Sequence, residues 1–149
     1  MPTVEKVART DSGLASELRV SVMRLRRRLI GERHPDNELS TSQMAVLGQL
    51  YRNGEQAVGD LAVAEGVQPP SMTRTVKTLE AGGYVTRRPH ESDGRQVVIT
   101  ITEAGTATVR ADRARRDAWL SRRLSELTPE ERAVLRQAAP IIDSLSRKD

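Results

Sequence analysis

Ser71, Thr73, Arg74, Thr75 and Lys77 lie close together in the chain and carry groups suited to binding a phosphate or the edge of a base. The hydroxyls are short hydrogen-bonding groups, Arg74 offers a planar fork to guanine or phosphate, and Lys77 is a point charge. Further on, Arg87, Arg88 and Arg95 flank the stretch Pro89-His90-Glu91-Ser92-Asp93-Gly94. Between 71 and 95 the basic residues Arg74, Lys77, Arg87, Arg88 and Arg95 outnumber the acids Glu80, Glu91 and Asp93. This is chemistry for holding a polyanion rather than for making or breaking bonds. Catalysis has no comparable support: the sequence has no phosphate loop, no metal-ligand spacing and no Ser-His-acid grouping, because His34 and His90 stand alone in loop-like segments. The absence of Cys removes disulfides, thiolate metal sites, cysteine nucleophiles and thiol-oxidation switches together. Neither an enzyme nor a bound metal or cofactor is expected.

The elements that must position these residues are legible from periodicity. Residues 1–11 read as a flexible arm. Leu14, Leu18, Val22, Leu25 and Leu29 step by helical intervals, with Val20, Met23 and Ile30 on a second line, and Gly31 and Pro35 end that helix. Ser40-Thr41-Ser42-Gln43 has capping-box spacing, and Leu39 and Met44 are placed as a hydrophobic staple, for a helix to about Arg52. A short helix follows from Val58 to about Glu65 and stops at Gly66. Pro69 and Pro70 suit the first turn of the next helix, in which Met72, Val76 and Leu79 form the inward face and the polar residues from Ser71 to Lys77 the outer ones.

After Gly82-Gly83 the pattern alternates, predicting strands over Tyr84 to Arg88 and Gln96 to Thr102. Alternation also means that Arg87 and Arg88 cannot both face one ligand. A long helix begins near Glu103 with Ala104, Ala107, Ala111, Ala114 and Ala118 as a seam for close helix packing. The last helix opens at Thr128-Pro129-Glu130-Glu131 and contains Pro140, which should kink it.

A short helix, a turn, a second helix with a polar outer face and a basic hairpin make a winged helix-turn-helix. A helix fits the DNA major groove, and a hairpin tip reaches backbone or minor groove. A winged helix can instead serve as a protein-interaction or RNA-binding module without operator recognition. Such uses would call for an exposed apolar patch or for stacking aromatics, yet the sequence has no Phe, two Tyr and one Trp.

At this point the sequence resembles the multiple antibiotic resistance regulator (MarR) family of bacterial transcription factors. The resemblance is carried by Leu39-Ser40-Thr41-Ser42-Gln43, Val58-Gly59-Asp60-Leu61-Ala62, Ser71-Met72-Thr73-Arg74, Leu79-Glu80, Gly83-Tyr84-Val85, Asp93-Gly94-Arg95 and Ile99-Thr100-Ile101-Thr102-Glu103-Ala104-Gly105. It implies a triangular homodimer in which the first, fifth and sixth helices of both subunits interlock. It places the recognition helix at about 70–81 and the wing at about 86–97, with Arg95 entering a minor groove and Asp93 holding it or a neighbouring Arg by an ion pair. It also implies control by a small anionic or aromatic effector, for which Met23, Met44, Leu47 and Tyr51 are the candidates, although ordinary core is the plainer reading of those four.

The expected fold is therefore mainly α with a small β-hairpin wing. Its parts are the arm at 1–11, a helical dimerisation region at 12–38 and 103–149, and the winged helix-turn-helix at 39–102. The expected partner is double-stranded DNA carrying a palindromic operator. No apolar run is long enough for a membrane span and no signal peptide is evident, so a cytoplasmic location is expected. The net charge of +4 fits a polyanion partner but does not locate the surface. From 19 to 33 six Arg face only Glu32, whereas the winged segment is mildly basic. His34 and His90 are the only groups that ordinarily titrate near neutral pH, and His34 is a conceivable pH sensor.

Overall fold

The computed structural model describes residues 10–147. In chain order its elements are α1 (Asp11–Gly31), α2 (Thr41–Asn53), β1 (Gln56–Ala57), α3 (Val58–Glu65), α4 (Pro69–Ala81), β2 (Val85–Pro89), β3 (Val97–Ile101), α5 (Glu103–Ser125) and α6 (Pro129–Ser146). They form two compact units, one of Ile30–Arg115 and the other of the chain up to Leu29 with Arg116 onward. The expected mainly helical architecture with a small wing is the one observed.

In the unit Ile30–Arg115, α2 begins at a reciprocal cap: Gln43 N–H donates to Ser40 Oγ at 3.1 Å and Ser40 N–H to Gln43 Oε1 at 2.8 Å. Such a cap stabilises a helix by about 1 kcal/mol. Leu39 and Met44, on either side of it, both join the core. Helix α3 ends in a Schellman turn at Gly66, whose φ of 64° suits glycine, with Val67 N–H donating to Ala62 O at 3.0 Å. That turn sets the direction in which α4 starts. Met72, Val76 and Leu79 bury one stripe of α4 against Leu47, Leu50 and Leu61 of the same core cluster.

The sheet has order β1-β3-β2 and is antiparallel throughout. Strands β2 and β3 pair from Val85 with Ile101 to Pro89 with Val97. Strand β1 is the departure from sequence expectation, which has no strand between the helices ending near Arg52 and starting at Val58: Gln56 pairs with Ile99 and Ala57 with Val98. Two residues generate no period, and their partners lie far along the chain. As the central strand, β3 buries both Val98 and Ile99. Thr102 closes the module by donating its N–H to Tyr84 O and its hydroxyl to Gly83 O, while its Oγ1 accepts from Gly105 N–H. Gly105 is sterically required, because a Cβ there would collide with the Tyr84 carbonyl and with Ile101. Asp112 on α5 is buried, and it accepts from Asn37 Nδ2 at 2.8 Å and from His34 N–H at 3.4 Å.

In the other unit, α1 starts earlier than the apolar period indicates. Thr10 caps it, accepting from Gly13 N–H at 3.0 Å, and Asp11 already lies in the first turn. The rest of the expected arm, residues 1–9, lies outside the described residues. Arg28 stacks over Trp119 at 5.2 Å, and Arg116 Nε donates to Leu29 O at 3.2 Å. Helix α6 opens with its own capping box between Thr128 and Glu131. Those hydrogen bonds, the backbone one first, hold the Glu131 carboxyl below its ordinary pKa. The helix continues through Pro140 to Ser146. Neither α1 nor α6 contains a buried residue.

Candidate nucleic-acid interface

Helix α4 has an unusual first turn. Pro69 and Pro70 have no N–H, while Ser71 and Met72 both donate theirs to Gln68 O at 3.0 and 3.2 Å. Among residues 69–72 no backbone donor is left for a phosphate, so any contact that first turn makes comes from side chains. The hydroxyls of Thr73, Thr75 and Thr78 each donate to the carbonyl four residues back, at 3.0, 3.1 and 3.2 Å. Their remaining capacity is as acceptors, which matches base amino groups rather than phosphate oxygens. Ser71, Arg74 and Lys77 are exposed, and none makes a side-chain hydrogen bond or ion pair within the described residues.

The two arginines of β2 are arranged differently. Arg87 donates from Nε at 2.8 Å and from Nη2 at 3.0 Å to the two oxygens of Glu80, a bidentate pair joining the wing to the last turn of α4. The hydrogen bonds to Arg87 hold the Glu80 carboxyl below its ordinary range, and Glu80 in turn raises the Arg87 guanidinium. Arg88 points to the other face, where its Nη2 reaches Glu55 Oε1 at 2.6 Å, and Thr100 donates to the second oxygen of Glu55 at 3.3 Å. Alternation along β2 thus separates the pair as expected, but each has an acidic partner. The acids Glu80 and Glu55 were outside the sequence-derived site. Only the strict alternation of Arg87 and Arg88 pointed towards a structural role for one of the two.

The resemblance implies that Asp93 holds Arg95 or a neighbouring Arg by an ion pair, but among the described residues Asp93 pairs with no Arg side chain. Its Oδ1 accepts from the Arg95 backbone N–H at 3.1 Å, and the Arg95 side chain has no ion pair among the described residues. Thr73, Lys77, Arg87 and Arg95 line one cleft of about 320 Å³ between α4 and the wing, together with Asp60 of α3. Of the five basic residues between 71 and 95, the geometry neutralises Arg87 and Arg88 and leaves Arg74, Lys77 and Arg95 available for an external anion.

The four effector candidates separate. Met44 and Leu47 belong to the core of the Ile30–Arg115 unit. Tyr51 is partly buried beside it, with Arg113 over its ring at 4.5 Å and Arg110 Nε 3.5 Å from its hydroxyl. The Arg110 hydrogen bond is the main cause of the lowered pKa of the Tyr51 phenol. Met23 belongs to the other unit, where it borders an apolar groove with Val22, Ile142 and Leu145. Among the described residues no group of His, Cys, Asp and Glu is placed to hold a metal ion, and no helix is long and apolar enough to cross a membrane.

This arrangement recurs in known proteins. The sequence profile of the MarR family matches residues 39–97, from the residue before the α2 cap to the start of β3. An HTH-type transcriptional regulator of Mycobacterium tuberculosis is 43% identical over 136 residues, covering 91% of this chain and 94% of that protein. A transcriptional regulator from Pseudomonas aeruginosa has a solved structure that matches with a TM-score of 0.83 at 30% identity, covering 93% of this chain and 96% of the other. A mutant of MepR from S. aureus, solved bound to an oligodeoxyribonucleotide, shares the fold with a TM-score of 0.66 at 20% identity over 89% of this chain and 98% of that one. A helix-turn-helix whose second helix has a polar outer face, beside a basic wing and on a chain matched along nine-tenths of its length by such a regulator, places this protein in the MarR family of helix-turn-helix transcriptional regulators.

Proposed function

We propose that the protein is a homodimeric repressor in the cytoplasm that binds a palindromic operator and is released by a small anionic or aromatic effector. The observation that carries this reading is the set of cations left without acidic partners. Arg74 and Lys77 on α4 and Arg95 on the wing lack them, whereas Arg87 and Arg88 are neutralised within the fold. In this reading Ser71, Thr73, Arg74, Thr75 and Lys77 meet a major groove and Arg95 a minor groove. Asp93 shapes the tip, and Arg87 and Arg88 hold the wing.

The dimer is supported by exposed apolar side chains on helices with no core of their own, among them Met23 at 54%, Ile141 at 61% and Leu145 at 71% exposure. The alanines of the α5 seam are exposed as well. Two recognition helices on one face of DNA must sit about 34 Å apart, so an effector that alters their spacing releases DNA without touching it. Of the candidates Met23, Met44, Leu47 and Tyr51, Tyr51 with Arg110 and Arg113 combines a ring face with positive charge. Selection of bound fragments from the source genome with the purified protein tests the reading. The expected result is a palindromic motif with half-sites one helical turn apart, and fragments enriched without any shared motif would overturn operator recognition.

A further inference from the structure

The wing tip is built around an imidazole. His90 follows β2, and its Nδ1 lies 3.2 Å from the N–H groups of both Ser92 and Asp93, with Ser92 Oγ at 3.1 Å. A ring nitrogen that receives backbone N–H groups must present its lone pair, so the ring hydrogen is carried by Nε2. The rest of the loop closes on the same residues. His90 N–H donates to Gln96 O at 2.9 Å, Gln96 N–H to Asp93 O at 3.0 Å, and Arg95 N–H to Asp93 Oδ1 at 3.1 Å. Residues 91–96 are all exposed, so no apolar packing fixes this tip. Its conformation rests on these hydrogen bonds, and the ring acceptor holds the turn from which Asp93 reaches Arg95.

We infer that His90 is a positioning residue for DNA binding: its unprotonated Nδ1 holds the Ser92–Asp93 turn, and Asp93 then fixes the backbone from which Arg95 extends. The inference rests on Arg95 being a DNA contact. A side chain on an untethered tip would lose conformational entropy on binding that the His90 hub removes in advance. His90 serves this loop as a hydrogen-bond acceptor through Nδ1, a role that neither its charge nor its position in the sequence announces.

The test compares His90→Ala, His90→Asn, Arg95→Ala and the His90→Ala/Arg95→Ala double variant. It measures affinity for an operator recovered by genomic selection and NMR amide–water exchange of the wing. His90→Ala should weaken binding by about tenfold and speed exchange at Ser92 and Asp93. His90→Asn, whose Oδ1 restores an acceptor at similar reach, should recover most of both. The double variant should bind no worse than Arg95→Ala alone. Wild-type affinity in His90→Ala, additive losses in the double variant, or an Asn variant as weak as Ala would each overturn the proposal. If Arg95→Ala binds like wild type while His90→Ala still speeds exchange, the DNA role of Arg95 has failed and the inference with it. If Arg95→Ala loses affinity but His90→Ala leaves exchange unchanged, the inference fails alone.

Discussion

The unit Ile30–Arg115 and the unit built on α1 and α6 use apolar residues in opposite ways. In the first, Leu47, Leu61, Leu79 and Ile99 are fully buried and join one cluster with the other inward residues of α2, α3, α4 and the sheet. In the second, α1 and α6 contain no fully buried residue, although both carry regular apolar stripes. A periodic apolar stripe left accessible among the described residues marks a candidate interaction surface. One unit therefore carries a buried core of its own, and the apolar stripes of α1 and α6 stay accessible in the other.

Substitutions in the two units should break in different ways. Leu47→Ala, at a fully buried position, should cost about 2–5 kcal/mol in urea unfolding and reduce DNA binding through loss of fold. Leu145→Asp on α6 should leave the winged module folded, with native amide dispersion, while sedimentation shifts to the 16.5 kDa monomer. A Leu145→Asp protein that stays dimeric would remove α6 from the interface and with it the contrast between the units.

A second contrast lies inside the winged module, between cations with and without acidic partners. Arg74→Ala should cost about 1–3 kcal/mol on the operator if the guanidinium reads a base edge, and an equal loss on random DNA would place it on phosphate instead. Arg95→Ala should lower the slope of log affinity against log salt by about one, as expected for an available cation. Arg87→Ala should leave that slope unchanged, because Glu80 already neutralises the side chain. A drop in slope for Arg87→Ala would mean that the ion pair opens on DNA.

What could be read from the sequence follows the range of the forces involved. Ser40 with Gln43 and Thr128 with Glu131 are local caps, and both form as their spacing dictates. The buried stripe of α4 and the alternation of β2 are also local patterns, so the polar face from Ser71 to Lys77 is found where expected. The pairing of Gln56 with Ile99 and the capture of Arg88 by Glu55 depend on distant segments meeting, and no period in the chain encodes them. Likewise, Met44 and Leu47 carry the same pattern whether they line a ligand site or fill a core. Packing places them in the core. The tip at 90–96 is legible as the connection between two strands, but not as a loop centred on His90 Nδ1.

The smallest effect concerns the Glu80–Arg87 pair, which ties the wing to α4 yet is itself partly exposed. Hydrogen bonding to Arg87 lowers the Glu80 pKa in the folded protein, so folding favours the ionised carboxylate. The stabilisation from this pair is accordingly complete above the unfolded carboxylate value of about 4.3 and disappears as pH falls through the lower folded value. Glu80→Gln keeps the shape but removes the titration. Wild type should therefore have a slightly higher thermal midpoint than Glu80→Gln near neutrality, and the gap should close on acidification below the carboxylate range. Solvent screening keeps that gap small. The absence of any gap near neutrality would mean that the pair joins α4 to the wing through shape rather than charge, and Arg87 would then behave on DNA like the available cations.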